Sequence, residues 1–290
     1  EGLGKRSHVE GVLTVGRRDP NRANLRRGKR SGRGSWRGPI RLHAAAVADR
    51  DPAALGQGHV AAGRTDGRSQ RITYRRLRER CARFAQVLSA AGLRRGDTLF
   101  RRLPRGPDMV VATLGALKAG LVVVPTMPLL RAAELKQIVD KAQVSAALCD
   151  SLLAEELAHC LDSTHPHHCK SLSQVNGFRS QDASGLEARM AKHPDEFDAY
   201  PTSRDDVCLI AFTSGTTGQP KGTMHFHRDI LAMCDLFPKH VLHMNESDVV
   251  CGTPPIAFTF GLGGLLAFPL RYGACAVLLE KYTPESLLLG

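Results

Sequence analysis

The sequence predicts an α/β fold with a mostly parallel sheet flanked by helices. Two observations support this fold class. Short apolar runs alternate along the chain with stretches of helical periodicity, and one apolar run ends in a turn rich in glycine and hydroxyl residues. With 290 residues, the chain is long enough for one large or two ordinary domains and can bury a core.

Regular elements become recognisable near Ile72. A short strand is predicted at 72–74, and the apolar stripe from Leu77 to Leu88 predicts a helix that ends at Gly92. The next predicted elements are a strand at 98–103, a helix at 109–119, a strand at 121–125, a helix at 134–142 and a strand at 144–149. Arg101 and Arg102 interrupt the apolar run of the strand at 98–103.

Residues 151–205 are polar and irregular, which predicts a surface connection. Further on, the pattern predicts a strand at 207–212, a helix at 227–241 and strands at 248–252 and 274–279. Histidine and cysteine crowd together within the connection: His159, Cys160, His165, His167, His168 and Cys169. A metal site is conceivable there, but the spacing matches no zinc pattern and Pro166 breaks helical facing, so we expect a solvated loop and no metal.

The net charge of +12 is distributed unevenly. Residues 1–105 carry 26 Lys and Arg against 8 Asp and Glu, whereas residues 106–290 carry 14 against 20. Two interpretations fit the Arg-, Gly- and Ser-rich segment 1–41: a disordered basic arm for an anionic partner, or a segment that is not native coding sequence. The second is favoured because the bias stops abruptly and the chain opens on Glu1, so we expect no nucleic-acid partner and no packing of 1–41 against residues 42–290.

The eight cysteines are scattered and form no C-x-x-C pair. Several lie in apolar runs, which predicts small buried side chains in a reducing cytoplasm and no disulfide framework. No apolar run reaches the ~20 residues of a membrane-spanning helix, and no signal-peptide pattern opens the chain, so neither a membrane nor secretion is expected.

The turn after the strand at 207–212 is the most specific signal in the chain. It reads Thr213, Ser214, Gly215, Thr216, Thr217, Gly218, Gln219, Pro220, Lys221 and Gly222. Glycines let backbone N–H groups surround an anion, hydroxyls add donors and Lys221 adds a charge, which together suit a polyphosphate. The spacing excludes the G-x-x-x-x-G-K-[ST] loop, since Pro220 stands at the second glycine position and Gly222 follows the lysine.

This turn resembles the phosphate loop of adenylate-forming enzymes, the superfamily of acyl-CoA synthetases, adenylation domains and luciferases. Four further stretches extend the resemblance over about residues 60–290: the Thr73-Tyr74 element, Gly115–Pro125 with the following Met127-Pro128-Leu129-Leu130, the stretch at His227, and Pro254–Gly264. Their combination looks most like the benzoate and 2-aminobenzoate CoA ligases. The resemblance implies that residues 42–290 are an incomplete large N-terminal AMP-binding domain without the C-terminal domain.

The resemblance implies a reaction in which ATP and Mg²⁺ activate an aromatic carboxylate to acyl-AMP, and coenzyme A then takes the acyl group. ATP would bind at Thr213, Ser214, Gly215, Thr216, Thr217, Gly218 and Lys221. Phe258, Phe260, Gly261 and His227 would border the substrate, although buried aromatic packing or a locally bonded helix-start histidine would explain these residues equally well. No catalytic residue and no protein metal ligand is expected within 1–290.

The sequence also departs from the family in two ways. Arg101, Arg102 and Arg105 stand where relatives keep apolar or neutral residues, and the chain ends before the family's acidic magnesium ligand, ribose-binding aspartate, hinge and C-terminal lysine. We therefore expect the 290-residue polypeptide alone to be inactive. Two alternatives stay open: another acyl-CoA synthetase or adenylation domain, and a truncated, non-catalytic nucleotide-binding product.

Overall fold

The structure is a computed structural model that describes residues 13–17, 58–63, 69–161, 171–175, 185–213 and 220–280. Two mixed β-sheets with helices against their faces form the fold. The helices of the described residues are α1 Tyr74–Ala90, α2 Pro107–Lys118, α3 Ala132–Lys141, α4 Ala154–Cys160, α5 Leu186–Ala191, α6 His227–His240, α7 Thr259–Leu262 and α8 Phe268–Tyr272. A 3₁₀ turn at Ser151–Leu153 precedes α4, and a π-helix at Gly263–Ala267 joins α7 to α8.

In the described residues the first sheet has six strands. They are β4 Thr98–Arg102, β5 Val122–Pro125, β6 Ala146–Asp150, β7 Ser171–Val175, β8 Val207–Thr213 and β9 Lys221–Phe226, in the spatial order β7-β6-β4-β5-β8-β9. All neighbours are parallel except β9, which returns antiparallel to β8. The carboxyl ends of β4, β5, β6 and β8 therefore meet at one edge, which is where α/β sheets bind their ligands.

The second sheet has five strands within the part of the chain that the structure describes. They are β1 Leu13–Arg17, β2 His59–Gly63, β3 Ser69–Thr73, β10 Asp248–Gly252 and β11 Cys275–Leu279, in the order β1-β10-β11-β2-β3. The β10–β11 and β11–β2 pairs are parallel, and the two outer pairs are antiparallel. Among the described strands of both sheets, parallel pairs outnumber antiparallel ones, so the predicted fold class is confirmed.

The main core lies between the two sheets. Alternation along β4 sends Leu99 and Leu103 into the same cluster as Val250 of the second sheet, together with buried side chains of α1 and α2. Phe100 points the other way, into a smaller cluster with Leu135 of α3 and Leu157 of α4. The residues of β4 therefore alternate between the space shared by both sheets and the outer helical layer.

Helix boundaries follow local chemistry. The hydroxyl of Thr73 accepts a hydrogen bond from the backbone N–H of Arg76 at the start of α1, and the carboxylate of Asp229 accepts one from the N–H of Phe226 at the start of α6. Gly92 and Gly120 follow α1 and α2 with φ values of 80° and 78°, in the left-handed region that glycine adopts at no steric cost.

Two expectations are corrected. Residues 151–205 contain α4, β7 and α5 rather than only an irregular connection. Leu13–Arg17 pairs antiparallel with β10, so this part of segment 1–41 does join the α/β body, while the rest of that segment lies outside the described residues. The strand predicted at 98–103 is confirmed as β4, and it includes Arg101 and Arg102 because β5 and β6 pair with it on both sides.

The cysteines in the described residues agree with the sequence prediction. Among the described residues, Cys81, Cys149, Cys160, Cys208, Cys234 and Cys275 are buried and Cys251 is half-buried, whereas Cys169 lies outside the described residues. Burial raises the pKa of the Cys149, Cys208 and Cys234 thiols to about 12, which removes them as nucleophiles at neutral pH. In the part of the chain that the structure describes, no helix has the length and apolarity of a membrane span. The cytoplasmic location stays a prediction.

Candidate active site

The phosphate-loop candidate connects β8 to β9 at the carboxyl edge of the six-stranded sheet. The last pair in the β8–β9 register is Thr213 with Lys221, so two of the predicted ATP-binding residues face each other across the mouth of the loop. Ser214, Gly215, Thr216, Thr217 and Gly218 lie outside the described residues. Lys221 is exposed and belongs to a strand, which places its ammonium group at an edge open to an anion.

Two features lie where the loop enters β9. The Nζ of Lys141, the last residue of α3, donates to the carbonyl oxygen of Pro220 at 2.8 Å, just before Lys221. A Cβ on Gly222 would lie 3.1 Å from side-chain atoms of Ile210 and Phe212, so glycine leaves room for these two side chains of β8. Sequence reasoning missed Lys141, because it lies 79 positions from its partner and belongs to no motif.

The aromatic segment predicted to border the substrate follows β10. Phe258 and Phe260 are 37% and 54% exposed, so neither ring is an ordinary core residue. Gly261 packs directly on the preceding turn: an added Cβ would overlap the carbonyl of Pro255 and come within 2.7 Å of the carbonyl oxygen of Pro254. The following π-helix is a rare conformation that often accompanies functional sites.

His227 occupies a different environment. It is 1% exposed at the first position of α6, and its backbone N–H donates to the carbonyl oxygen of Asp206 at 3.2 Å. Burial works against ionised Asp206, but hydrogen bonds from Arg95 and the Ser203 N–H more than compensate, so the pKa of Asp206 is lowered. This environment supports a structural role for His227 at the start of α6, and its predicted contact with substrate stays a prediction.

The three arginines at and just after the end of β4 have separate roles. Arg102 is 1% exposed and donates to four backbone carbonyls: Nη1 to Met127 at 2.9 Å, Nη2 to Pro128 at 3.0 Å and to Leu130 at 2.9 Å, and Nε to Leu153 at 3.3 Å. It thus joins the segments that follow β5 and β6. Arg105 donates to carbonyls at the end of β10 and just after it.

Arg101 has no comparable partners. It is 2% exposed, and within the described residues its buried Nε and Nη1 make no hydrogen bond. Burial alone lowers the pKa of the Arg101 guanidinium to about 10. Arg101 lies on the face of β4 that turns to the shared core, whereas Arg102 faces the outer layer. This difference explains why Arg102 finds hydrogen-bond acceptors and the buried Nε and Nη1 of Arg101 do not.

This arrangement places a phosphate-loop motif and an exposed aromatic turn in one mixed α/β fold, and comparison with known proteins identifies its class. Residues 44–289 match the AMP-binding enzyme family, and the chain belongs to that family. It spans about 40% of the length of the curated relatives that it matches.

Individual relatives point to acid–CoA ligases of several kinds. The chain is 32% identical to benzoate–CoA ligase of Thauera aromatica over 219 residues, covering 74% of this chain and 40% of that protein. It is 28% identical to the medium-chain fatty-acid–CoA ligase of Escherichia coli K12, over 77% of this chain and 40% of the relative.

Solved structures share the fold. An anthranilate CoA ligase crystallised with anthranoyl-AMP superposes with a TM-score of 0.71 at 23% identity, covering 85% of this chain and 46% of that one. A benzoate CoA ligase from Burkholderia xenovorans LB400 gives a TM-score of 0.70 at 26% identity, over 85% of this chain and 47% of the other. The described fold therefore corresponds to part of an adenylate-forming enzyme.

Proposed function

We propose that this chain is the ATP- and carboxylate-binding part of a ligase that activates an aromatic carboxylic acid. The acid would react with ATP in the presence of Mg²⁺ to give acyl-AMP and pyrophosphate, and the CoA thiol would then take the acyl group. The observation that carries the proposal is the position of Thr213 and Lys221, paired across the mouth of the loop at the carboxyl edge of the sheet.

The loop would bind the part of ATP that leaves. In adenylation the charge builds on the β- and γ-phosphates, and catalysis depends on positioning and on electrostatic stabilisation of those oxygens. The Lys221 ammonium and the Thr213 hydroxyl supply a cation and a donor at the loop mouth, and the hydroxyls and N–H groups of residues 214–218 would complete the site. Mg²⁺, held by the phosphates, would screen the same oxygens.

The aromatic turn would border the acyl group. Phe258 and Phe260 offer exposed rings beside Gly261, whose missing side chain allows the turn to fold back on Pro255. A flat ring can stack on such a surface, with about 25 cal/mol of stabilisation for each Å² of apolar area removed from water. The benzoate–CoA ligase relative supports this preference, and the medium-chain fatty-acid relative supports the alternative, an aliphatic acid.

The proposal is tested by binding. Isothermal titration of the chain with ATP and Mg²⁺, and separately with benzoate, 2-aminobenzoate, acetate and palmitate, should give measurable affinity for ATP and for the two aryl acids. Phe260→Ala should weaken benzoate binding and leave ATP binding unchanged. Preference for palmitate would place the protein among fatty-acid ligases, and a failure to bind ATP would contradict the proposed function.

A further inference from the structure

Arg105 connects the carboxyl edges of the two sheets. It lies in the short loop between β4 and α2, is half-buried, and donates from Nη1 to the carbonyl oxygen of Gly252 at 3.0 Å. Its Nη2 donates to the carbonyls of Thr253 and Pro254. One side chain thus satisfies three consecutive carbonyls about 150 positions away in the sequence.

Those carbonyls mark the end of β10. The β10–β11 register ends at Cys251 with Val277 and the β1–β10 register ends at Gly252 with Leu13, so beyond Gly252 the backbone needs partners other than the sheet. A guanidinium carries five N–H donors in a planar fork and can reach several acceptors at once, whereas a lysine ammonium is a point donor on a flexible stem. The chemistry of arginine therefore suits this position specifically.

The same three carbonyls begin the turn that carries Phe258 and Phe260. At its other end, the N–H of Phe258 donates to Pro255 at 3.0 Å and the N–H of Leu262 donates to Phe258 at 2.8 Å. Gly261 packs on the Pro254–Pro255 backbone. The backbone of the turn is thus held at both ends while its two rings remain exposed, an arrangement that fixes the backbone positions from which the rings project.

We infer that Arg105 is a positioning residue that sets the orientation of the acyl-binding turn, an inference that rests on the proposed function of that turn. Arg105 acts through the backbone carbonyls at the end of β10 and in the turn after it, whereas the phosphate loop connects β8 and β9 of the first sheet. Loss of the guanidinium should therefore weaken binding of the aryl carboxylate and leave ATP binding intact.

The test combines hydrogen exchange with binding on the full 290-residue chain. Arg105→Gln removes both the charge and the planar set of guanidinium donors, whereas Arg105→Lys keeps the charge. Arg94→Gln is the matched control, because it removes an exposed arginine from the turn before β4. In Arg105→Gln, amides of residues 255–264 should exchange about tenfold faster, with unchanged exchange in α1 and β5. Benzoate affinity should fall about fivefold or more, ATP affinity should stay within about twofold, and Arg105→Lys should recover part of the loss.

Each result decides a separate question. Exchange in residues 255–264 that matches the Arg94→Gln control would overturn the inference, as would faster exchange spread equally over α1, β5 and the turn. Equal weakening of ATP and benzoate would also overturn it. A wild-type chain that binds no benzoate would count against the proposed function, and the exchange pattern would still decide whether Arg105 orders the turn. If Arg105→Gln does not fold, Arg105→Lys supplies the same comparison.

Discussion

Replacing Arg101 and Arg102 separately by methionine should move stability in opposite directions. The two residues are adjacent in β4 and almost fully buried, and methionine is an unbranched side chain that adapts to the space each vacates. Arg102 satisfies four carbonyls, whereas the buried Nε and Nη1 of Arg101 have no hydrogen-bond partner in the described residues. The pair is therefore an internal control for buried charge.

The magnitude for Arg101 follows from its pKa. Arg101 stays charged at neutral pH, and its pKa, lowered by burial to about 10, means that burying this charge costs about 3 kcal/mol of folding stability. Methionine removes this cost and the unmet donors, and part of the gain is lost to imperfect packing, so Arg101→Met should raise the free energy of unfolding by about 1–3 kcal/mol. Because the native pKa lies below the unfolded one, the wild-type cost is complete below pH 10. The cost of burying the Arg101 charge falls as the pH rises above 10, and the stabilisation by Arg101→Met should fall with it.

Arg102→Met should have the opposite effect. The substitution removes all four hydrogen bonds to the segments after β5 and β6, and each bond from a charged donor contributes about 1.5–3 kcal/mol. Since residues 127–130 lie near the surface, water can replace part of the loss, and a net destabilisation of about 2–3 kcal/mol is expected. Urea unfolding at pH 7.5, followed by circular dichroism, measures both variants. Destabilisation by Arg101→Met equal to that of Arg102→Met would refute the reasoning.

Three further outcomes are expected. Lys221→Ala should weaken ATP binding about tenfold or more, because it removes the cation at the loop mouth, while Lys239→Ala on the exposed end of α6 should change nothing; equal effects in titration would contradict the loop assignment. Gly261→Ala should lower the unfolding free energy by about 1–3 kcal/mol through overlap with Pro255, whereas Gly106→Ala, whose Cβ would meet open space, should cost far less. The 290-residue polypeptide alone should release no pyrophosphate from ATP and benzoate, and robust release would show that residues 1–290 contain the whole catalytic machinery.

The sequence predicted the elements whose signal is local. β10 was predicted with its observed bounds, and β5, α2 and α6 within two residues at either end, because runs of branched residues or an apolar stripe mark each of them. Elements that depend on distant partners were missed. β1 is an edge strand held by β10, more than 230 positions later, and β9 exists because it pairs back on β8.

For the same reason, the sequence predicted the motif residues of the candidate site but not the contacts that support them. Thr213, Lys221, Phe258, Phe260 and Gly261 belong to contiguous motifs, and their positions agree with a site at the carboxyl edges of the sheets, although their roles stay predictions. The supporting contacts lie outside any motif. The hydrogen bonds from Lys141 to Pro220 and from Arg105 to the end of β10 join segments far apart in the sequence. Only the fold brings these segments together.

The most direct test of the central claim uses stable sulfamate analogues of acyl-AMP. Isothermal titration of the chain with the benzoyl, acetyl and palmitoyl analogues, each carrying the same adenosine, isolates the preference of the acyl site. The aryl-ligase assignment predicts that the benzoyl analogue binds about tenfold or more tightly than the other two, and that Phe260→Ala removes most of this difference. Equal affinities, or tighter binding of the palmitoyl analogue, would contradict the assignment.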